Sequence, residues 1–387
     1  MASPSSSPSL PSSSSSSSSS LPCSSSVVVI GSGPTGVALS GYLKDLLPSH
    51  ESVHVFERHE ALALGSPIRH LNAAQVISIN VSERIASQWM SSNAEGLECV
   101  DEEKYSKTDE RPHLWSRARG QWQHARCLKR EDLFSKMQAQ SMHGCVKYSF
   151  GKSLSRIEVT ERDTFLLDCG TADMREECKV LILAVPAEEA LKIVSTLPES
   201  FVDATAYEVL VQCSRNYEQK YCRTVYMDRK SKLCHTLIDK FRQSNVFEID
   251  VSDVSEDITL LSLDALNDRE EDGSPVALHL HSRSRNGLIN SNLKLWMSSW
   301  LKLTTDTVDC VTIIDGRDDI TCFALCKSST APLHPLRERG YLVLTRPDSF
   351  PMVIACGDFA SAGNCGTFSG ALISAMKTAQ TVVDILK

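Results

Sequence analysis

Residues Val27 to Leu43 read VVVIGSGPTGVALSGYL. Four apolar β-formers run into Gly31, Gly33 and Gly36 at G-x-G-x-x-G spacing, and a helical pattern follows. Each glycine has its own task in such a turn. Gly31 allows the tight bend, Gly33 lets backbone approach a pyrophosphate, and Gly36 lets helix and strand pack closely. The helix, from about Pro34 to Leu47, directs free N–H groups and partial positive charge at the phosphates. Val53 to Glu57 (VHVFE) reads as the next strand and completes a βαβ unit. Glu57 falls 21 residues after Gly36, where a strand-end carboxylate accepts hydrogen bonds from a ribose diol. Together these features predict a dinucleotide-binding unit. Glu57 disfavours a 2′-phosphate, but it does not separate NAD from FAD.

The other end of the chain bears on that choice. VIACGDFASAGNCGTFSGALISAMKTAQTVVDIL (Val353 to Leu386) reads as a strand, a glycine-rich loop opening at Gly357 and Asp358, and a helix from about Ser369. A second helix start near Gly366 and Thr367, with small residues around it, permits close approach by a bulky planar ligand. A nicotinamide cofactor does not need this second cradle. FAD, with its isoalloxazine ring and ribityl chain, uses one.

Between the two ends, VKYSF, SRIEV and TFLLD suggest strands within Lys147 to Asp168. VLILAV (Val180 to Val185) has the continuous apolar character of a buried parallel strand. From about Ala204 to Arg346 strands alternate with acidic or glycine-containing turns, DREEDGSP (Asp268 to Pro275) being the clearest. Helices are expected at Arg84 to Met90 and Arg130 to Ser141. The expected fold is therefore α/β. A Rossmann-type FAD-binding domain with a parallel sheet is built from residues 27–90, 125–200 and 340–387. Residues 91–124 and 201–339 form an inserted α+β substrate domain on a mostly antiparallel sheet.

A formal charge of -8 argues against nucleic-acid binding, because no basic excess is available for phosphates. No apolar run approaches the roughly 18 to 20 residues of a membrane span. The 14 cysteines are scattered without C-x-x-C spacing, which predicts reduced, mostly buried thiols, with structural disulfides as the alternative and no metal site. Residues 1–26 are mostly Ser and Pro with no charged side chain, a composition that predicts disorder. They lack the apolar stretch of a secretory signal and the arginines of a transit peptide. That favours a cytoplasmic protein over an organelle-targeted or secreted one. Oligomeric state is not legible.

The glycines and Glu57 at one end, with ACGDFASAGNCGTFSGALISAM at the other, resemble the FAD-dependent amine oxidase superfamily, and within it the renalases. Further matches fall in the same order along the chain. They are Thr35 in GPTG, AAQVIS (Ala73 to Ser78), VLILAVPAEEALKIV (Val180 to Val194), YEQKYC (Tyr217 to Cys222) and VALHLH (Val276 to His281). Two departures stand out. The family's Gly-Gly-Arg after the ribose acid is replaced by EALALGSPIRH, and CFALC (Cys322 to Cys326) has no arginine.

The resemblance implies Gly31, Gly33, Thr35, Gly36, Glu57, Arg58, Ala74, Gln75, Gly357, Asp358, Gly366 and Thr367 as FAD contacts. It implies hydride transfer from a reduced nicotinamide nucleotide, NAD(P)H or its isomers, to FAD, with reoxidation by O2 to H2O2. The family's covalent cysteine motif is not reproduced around Cys365, so the flavin is expected to be held noncovalently. His279, then Tyr217 and Tyr221, are the candidate catalytic residues at a substrate site. The competing readings are a satisfied strand histidine and core tyrosines with paired hydroxyls. Amine or polyamine oxidation is the alternative chemistry, weakened by an aromatic content of only 6% and no Trp or Tyr near the C-terminal loop. A non-catalytic nucleotide-binding relative is the third reading, resting on the two departures.

Overall fold

The fold is described from a computed structural model. The described residues are 23–59, 76–80, 89, 91, 99–100, 125–129, 133, 136–137, 139, 146–169, 175–244, 248–251, 255–263, 276–304, 321–326, 339–346, 349–361, 365 and 368–387. The expected helix at 84–90 and the loop at 268–275 lie outside them, wholly or almost so. The helix expected at 130–141 is described at four residues only.

The opening motif forms strand β1 (Cys23–Ile30), helix α1 (Pro34–Leu46) and strand β2 (Val53–Glu57). Strand β1 is paired parallel to β2. Strands β3 (Val76–Asn80), β4 (Cys99–Val100) and β5 (Ala125–Lys129) make a small antiparallel sheet in the order β3-β5-β4. Next come β6 (Val146–Phe150), the hairpin β7 (Arg156–Val159) and β8 (Phe165–Asp168), and the long strand β9 (Arg175–Leu183). Helices α2 (Ala187–Val194) and α3 (Ala204–Arg215) follow. Asp203 caps α3, its Oδ1 accepting from Ala206 N at 2.8 Å.

A second sheet holds β10 (Tyr217–Met227), β11 (Glu248–Asp250), β12 (Ile258–Leu263), β13 (Val276–Ser282) and β14 (Thr321–Cys326). It is antiparallel throughout, in the order β11-β12-β13-β10-β14. Helices α4 (Lys232–Ser244) and α5 (Asn290–Leu301) share one core with it. Strands β15 (Tyr341–Val343) and β16 (Met352–Cys356) and helix α6 (Phe368–Leu386) then return to the first sheet.

In that first sheet the order is β15-β16-β9-β1-β2-β6. The run β16-β9-β1-β2-β6 is parallel, with β15 antiparallel at one edge and the β7–β8 hairpin continuing from β9. This is the mixed α/β architecture with a mostly parallel sheet that the sequence predicts. The VVVI run is apolar throughout because both its faces are covered. Val27 and Val29 enter one core with α1 and α6, while Val28 and Ile30 enter the other with α2 and α3.

Two strands are longer than their apolar runs. Strand β9 starts at Arg175 rather than Val180, because its first residues pair antiparallel with β8 on one side and parallel with β1 on the other. Strand β1 starts at Cys23, inside the segment whose composition predicts disorder, since β9 offers partners back to Glu176. A buried polar group rewards the extension. Ser25 Oγ donates to Glu176 Oε1, which also faces His54 Nδ1 at 3.2 Å, while His54 Nε2 meets Ser149 Oγ at 2.8 Å. Without Ser25 and His54 the buried Glu176 carboxylate would lack these partners.

No described helix is long and apolar enough to cross a membrane. Seven of the described cysteines, Cys169, Cys178, Cys213, Cys222, Cys234, Cys356 and Cys365, are buried thiols outside any disulfide. Burial pushes the thiols of Cys222 and Cys356 up to about 12.

Candidate dinucleotide site

In chain order β1, β2 and β6 run one way across the sheet, and β9 and β16 the other. The order therefore reverses between β1 and β9, and open α/β sheets hold ligands at the carboxyl ends of such a pair. Gly31 stands at that point. Its N–H donates to Phe56 O at 2.8 Å, and Ala184 N donates to Ile30 O at 2.9 Å, so the three strand ends are tied together.

The three motif glycines are required by different neighbours. Gly31 has φ +100°, and a Cβ there would lie 2.6 Å from Ala184 O. A Cβ on Gly36 would lie 2.0 Å from Gly31 O. Both are demanded by the chain itself. Gly33 is not: its φ is -65°, and apart from its chain neighbours no atom of the described residues comes within 4 Å of where its Cβ would stand. Gly33 instead lines a cavity of about 420 Å³. The space its side chain would take belongs to that cavity. Gly33 is also the N-cap of α1, which has Pro34 in its first turn and no side-chain cap. A helix start with no side-chain cap and a glycine required by no contact among the described residues fit a phosphate-bearing ligand.

Glu57 lines the same cavity. It is 4% exposed, and its carboxylate is held on both oxygens. Oε2 accepts from Ser32 N and Ser32 Oγ, both at 2.8 Å, and Oε1 accepts from His59 N at 2.9 Å. Ser32 fills the variable position between the first two glycines, and its hydroxyl was not legible as a site element. Arg58 lies beside Glu57 on the cavity wall. Lys152, from the β6–β7 connection, Arg156, the first residue of β7, and Lys192, from α2, also line the cavity, Arg156 paired with Glu158 at 3.1 Å and Lys192 with Glu188 and Glu189 at 3.0 and 3.3 Å. None of these three carries a local sequence signal, because tertiary packing alone brings them there.

The C-terminal turn follows the same carboxyl ends of the strands, although neither Gly357 nor Asp358 lines the cavity. Gly357 and Asp358 follow the carboxyl end of β16, with only β9 between it and β1, so the two turns are about 10 Å apart. Desolvation pushes the Asp358 carboxyl up to about 6, against the opposing effect of backbone N–H groups of Phe359 and Asp358 itself. A carboxyl whose folded pKa exceeds its usual 3.8 stabilises the fold when protonated. That contribution is full below 3.8 and is lost as pH rises through about 6. Asp358→Asn is expected to flatten this part of the profile, read by urea denaturation across that interval. Parallel curves for the two proteins would refute the assignment.

The remaining candidates fall elsewhere. Thr35 and Gly36 are buried in the first turns of α1. Ala74, Gln75, Gly366 and Thr367 lie outside the described residues, as do Gly65 and Arg69. Cys365 Sγ donates to Ser361 O at 3.1 Å. His279 is 4% exposed on β13, opposite Thr224 of β10, with its Nδ1 2.9 Å from Thr224 Oγ1. Tyr221 is partly buried against the second sheet's core. The Tyr217 hydroxyl accepts from Ala187 N at 3.1 Å, tying the second sheet to the start of α2. None of the three lines the cavity. Among the described residues no cluster of three or more His, Cys, Asp or Glu side chains is placed to hold a metal ion.

No family model matches the chain, and no curated protein matches it in sequence. Solved structures do match in fold. A putative protoporphyrinogen oxidase from Exiguobacterium sp. 255-15 is 10% identical, with 93% of this chain and 99% of that one covered and a TM-score of 0.51. A triple mutant of putrescine oxidase, from a structure-based redesign of cofactor binding, is also 10% identical at a TM-score of 0.51. There the coverage is 94% of this chain and all of the other. At this identity the likeness is one of fold, and it extends over 93% or more of each chain rather than over a lone βαβ unit.

Proposed function

We infer that this chain is an FAD-dependent oxidoreductase that oxidises a reduced nicotinamide nucleotide, as the renalases it resembles do. The observation that carries the cofactor reading is the pair of turns, Gly31–Gly36 and Gly357–Asp358, at the carboxyl ends of strands separated only by β9. A single-cradle dinucleotide would need the first alone.

FAD, when bound, supplies the hydride acceptor, and O2 reoxidises it to give H2O2. The chain's own groups bind and orient. Glu57, already positioned by Ser32 and His59, accepts from ribose hydroxyls. The open start of α1 and the bare backbone of Gly33 receive the pyrophosphate. Asp358 accepts from hydroxyls of the ribityl chain, and such donors favour its charged form. His279, Tyr217 and Tyr221, on the second sheet, are the residues of this chain proposed to face the nicotinamide substrate. Oxidising a dihydronicotinamide requires no separate acid or base, so orientation is their task.

Amine oxidation is the second reading, supported by the putrescine oxidase among the fold matches. The gently purified protein is expected to show the two-band absorption of oxidised flavin, or to acquire it with added FAD. Anaerobic mixing with dihydronicotinamide isomers is expected to bleach those bands, and mixing with putrescine is not. Bleaching by the amine alone reverses the assignment. A colourless protein that takes up no FAD removes both.

A further inference from the structure

Strands β15 and β16 are antiparallel, with Tyr341 opposite Cys356 and Val343 opposite Ile354. Leu344 N donates to Val353 O at 2.8 Å, so hydrogen-bonded and non-bonded pairs alternate from there. Continued by the same register, the pair due to exchange hydrogen bonds after Tyr341 and Cys356 is Gly340 with Gly357. It does not close directly. Gly357 N donates instead to Ser374 Oγ at 2.9 Å, and Ser374 Oγ donates to Gly340 O at 2.5 Å.

The hydroxyl of α6 is thus inserted as one rung of the ladder. It is fully buried, and it uses its one proton and an acceptor lone pair on the two strands. Beyond the rung the chain leaves the sheet. Ala360 N turns back to Gly357 O at 3.0 Å, and Asp358 stands at the head of that turn.

We propose that Ser374 is the positioning residue of Asp358. Its hydroxyl holds β15 and β16 apart at Gly340 and Gly357, and so sets the turn that presents the carboxylate to the ligand. The ligand assignment rests on the FAD reading above; the wedge itself does not. Without the hydroxyl, Gly357 N–H and Gly340 C=O are free to pair directly. That extends the ladder by one rung and swings Asp358 off its present line.

The test uses the full chain, with Ser374→Ala, Asp358→Ala and the double variant. In the FAD-free proteins, S374A is expected to speed amide exchange at residues 359–361 by about tenfold while β16 and α6 stay protected. In FAD titrations followed by flavin fluorescence, S374A is expected to raise Kd by about tenfold in the parent and to add nothing in the D358A background. Unchanged exchange overturns the proposal, whether or not FAD binds. Equal losses of affinity with and without Asp358 overturn it too. A parent protein that binds no FAD while S374A still loosens the turn overturns the cofactor reading and leaves the wedge standing. If S374A does not fold, Ser374→Cys, similar in size with a weaker donor, takes its place under the same criteria. Failure of both to fold assigns the hydroxyl to the fold and sinks the proposal.

Discussion

Replacing Gly33 and Gly36 by alanine is expected to give opposite phenotypes, although the two lie three residues apart in one motif. Gly33→Ala places its methyl where, its chain neighbours aside, no atom of the described residues comes within 4 Å, at an ordinary φ of -65°. Loss of chain entropy in the unfolded state favours the variant by about 0.4–1 kcal/mol, whereas alanine is a poorer N-cap than glycine by a similar amount. Stability should therefore stay within about 1 kcal/mol of the parent. The same methyl occupies the space a pyrophosphate needs. Overpacking of about 1–3 kcal/mol corresponds to roughly a tenfold to hundredfold loss of FAD affinity.

Gly36→Ala acts on the fold itself. The new Cβ would meet Gly31 O at 2.0 Å, and neither atom belongs to a flexible side chain. Alanine gains about 1 kcal/mol in helix propensity, but the helix must move off the β1 turn, and the clash outweighs the gain. A net loss of about 3 kcal/mol is expected, read by thermal or urea denaturation without ligand. A Gly33→Ala protein that melts like Gly36→Ala, or that keeps full FAD affinity, would count against the ligand role of the cavity.

Glu57 carries the second large effect. Glu57→Ala strips the acceptor from Ser32 N–H, Ser32 O–H and His59 N–H. His59 is exposed, so water replaces its partner. Ser32 is fully buried, and each hydrogen bond it loses to the carboxylate costs about 1–3 kcal/mol. A stability loss of about 2–4 kcal/mol is expected, together with loss of measurable FAD binding. Glu57→Gln keeps one acceptor oxygen but turns an N–H2 towards one set of donors. It should cost about half as much stability, and about tenfold or more in FAD affinity, because a charged acceptor to a hydroxyl becomes a neutral one. Denaturation curves and FAD titrations of the two variants separate the terms. Wild-type FAD affinity in the Gln variant would remove Glu57 from the ribose contact.

The first βαβ unit was legible because each part has a local cause. Val27 to Ile30 are apolar at every position, which only a strand covered on both faces requires, and α1 and β2 fall where period and spacing place them. The C-terminal strand and helix were legible for the same reason. The start of β1 was not. Ser24 and Ser25 are poor strand formers, and they join the sheet only because β9 extends back to Arg175 beside them.

Local sequence determined which residues can form the dinucleotide turn, since glycine geometry and the Gly36-to-Glu57 distance are properties of one contiguous segment. Tertiary structure alone decided what surrounds that turn. Ser32 became the clamp of Glu57, and Lys152, Arg156 and Lys192 became lining residues of the cavity. Ser374 became a rung between two strands 34 and 17 residues away from it. These roles depend on which strands the chain sets side by side, and pairing between distant segments leaves no periodic or spacing signal in either of them.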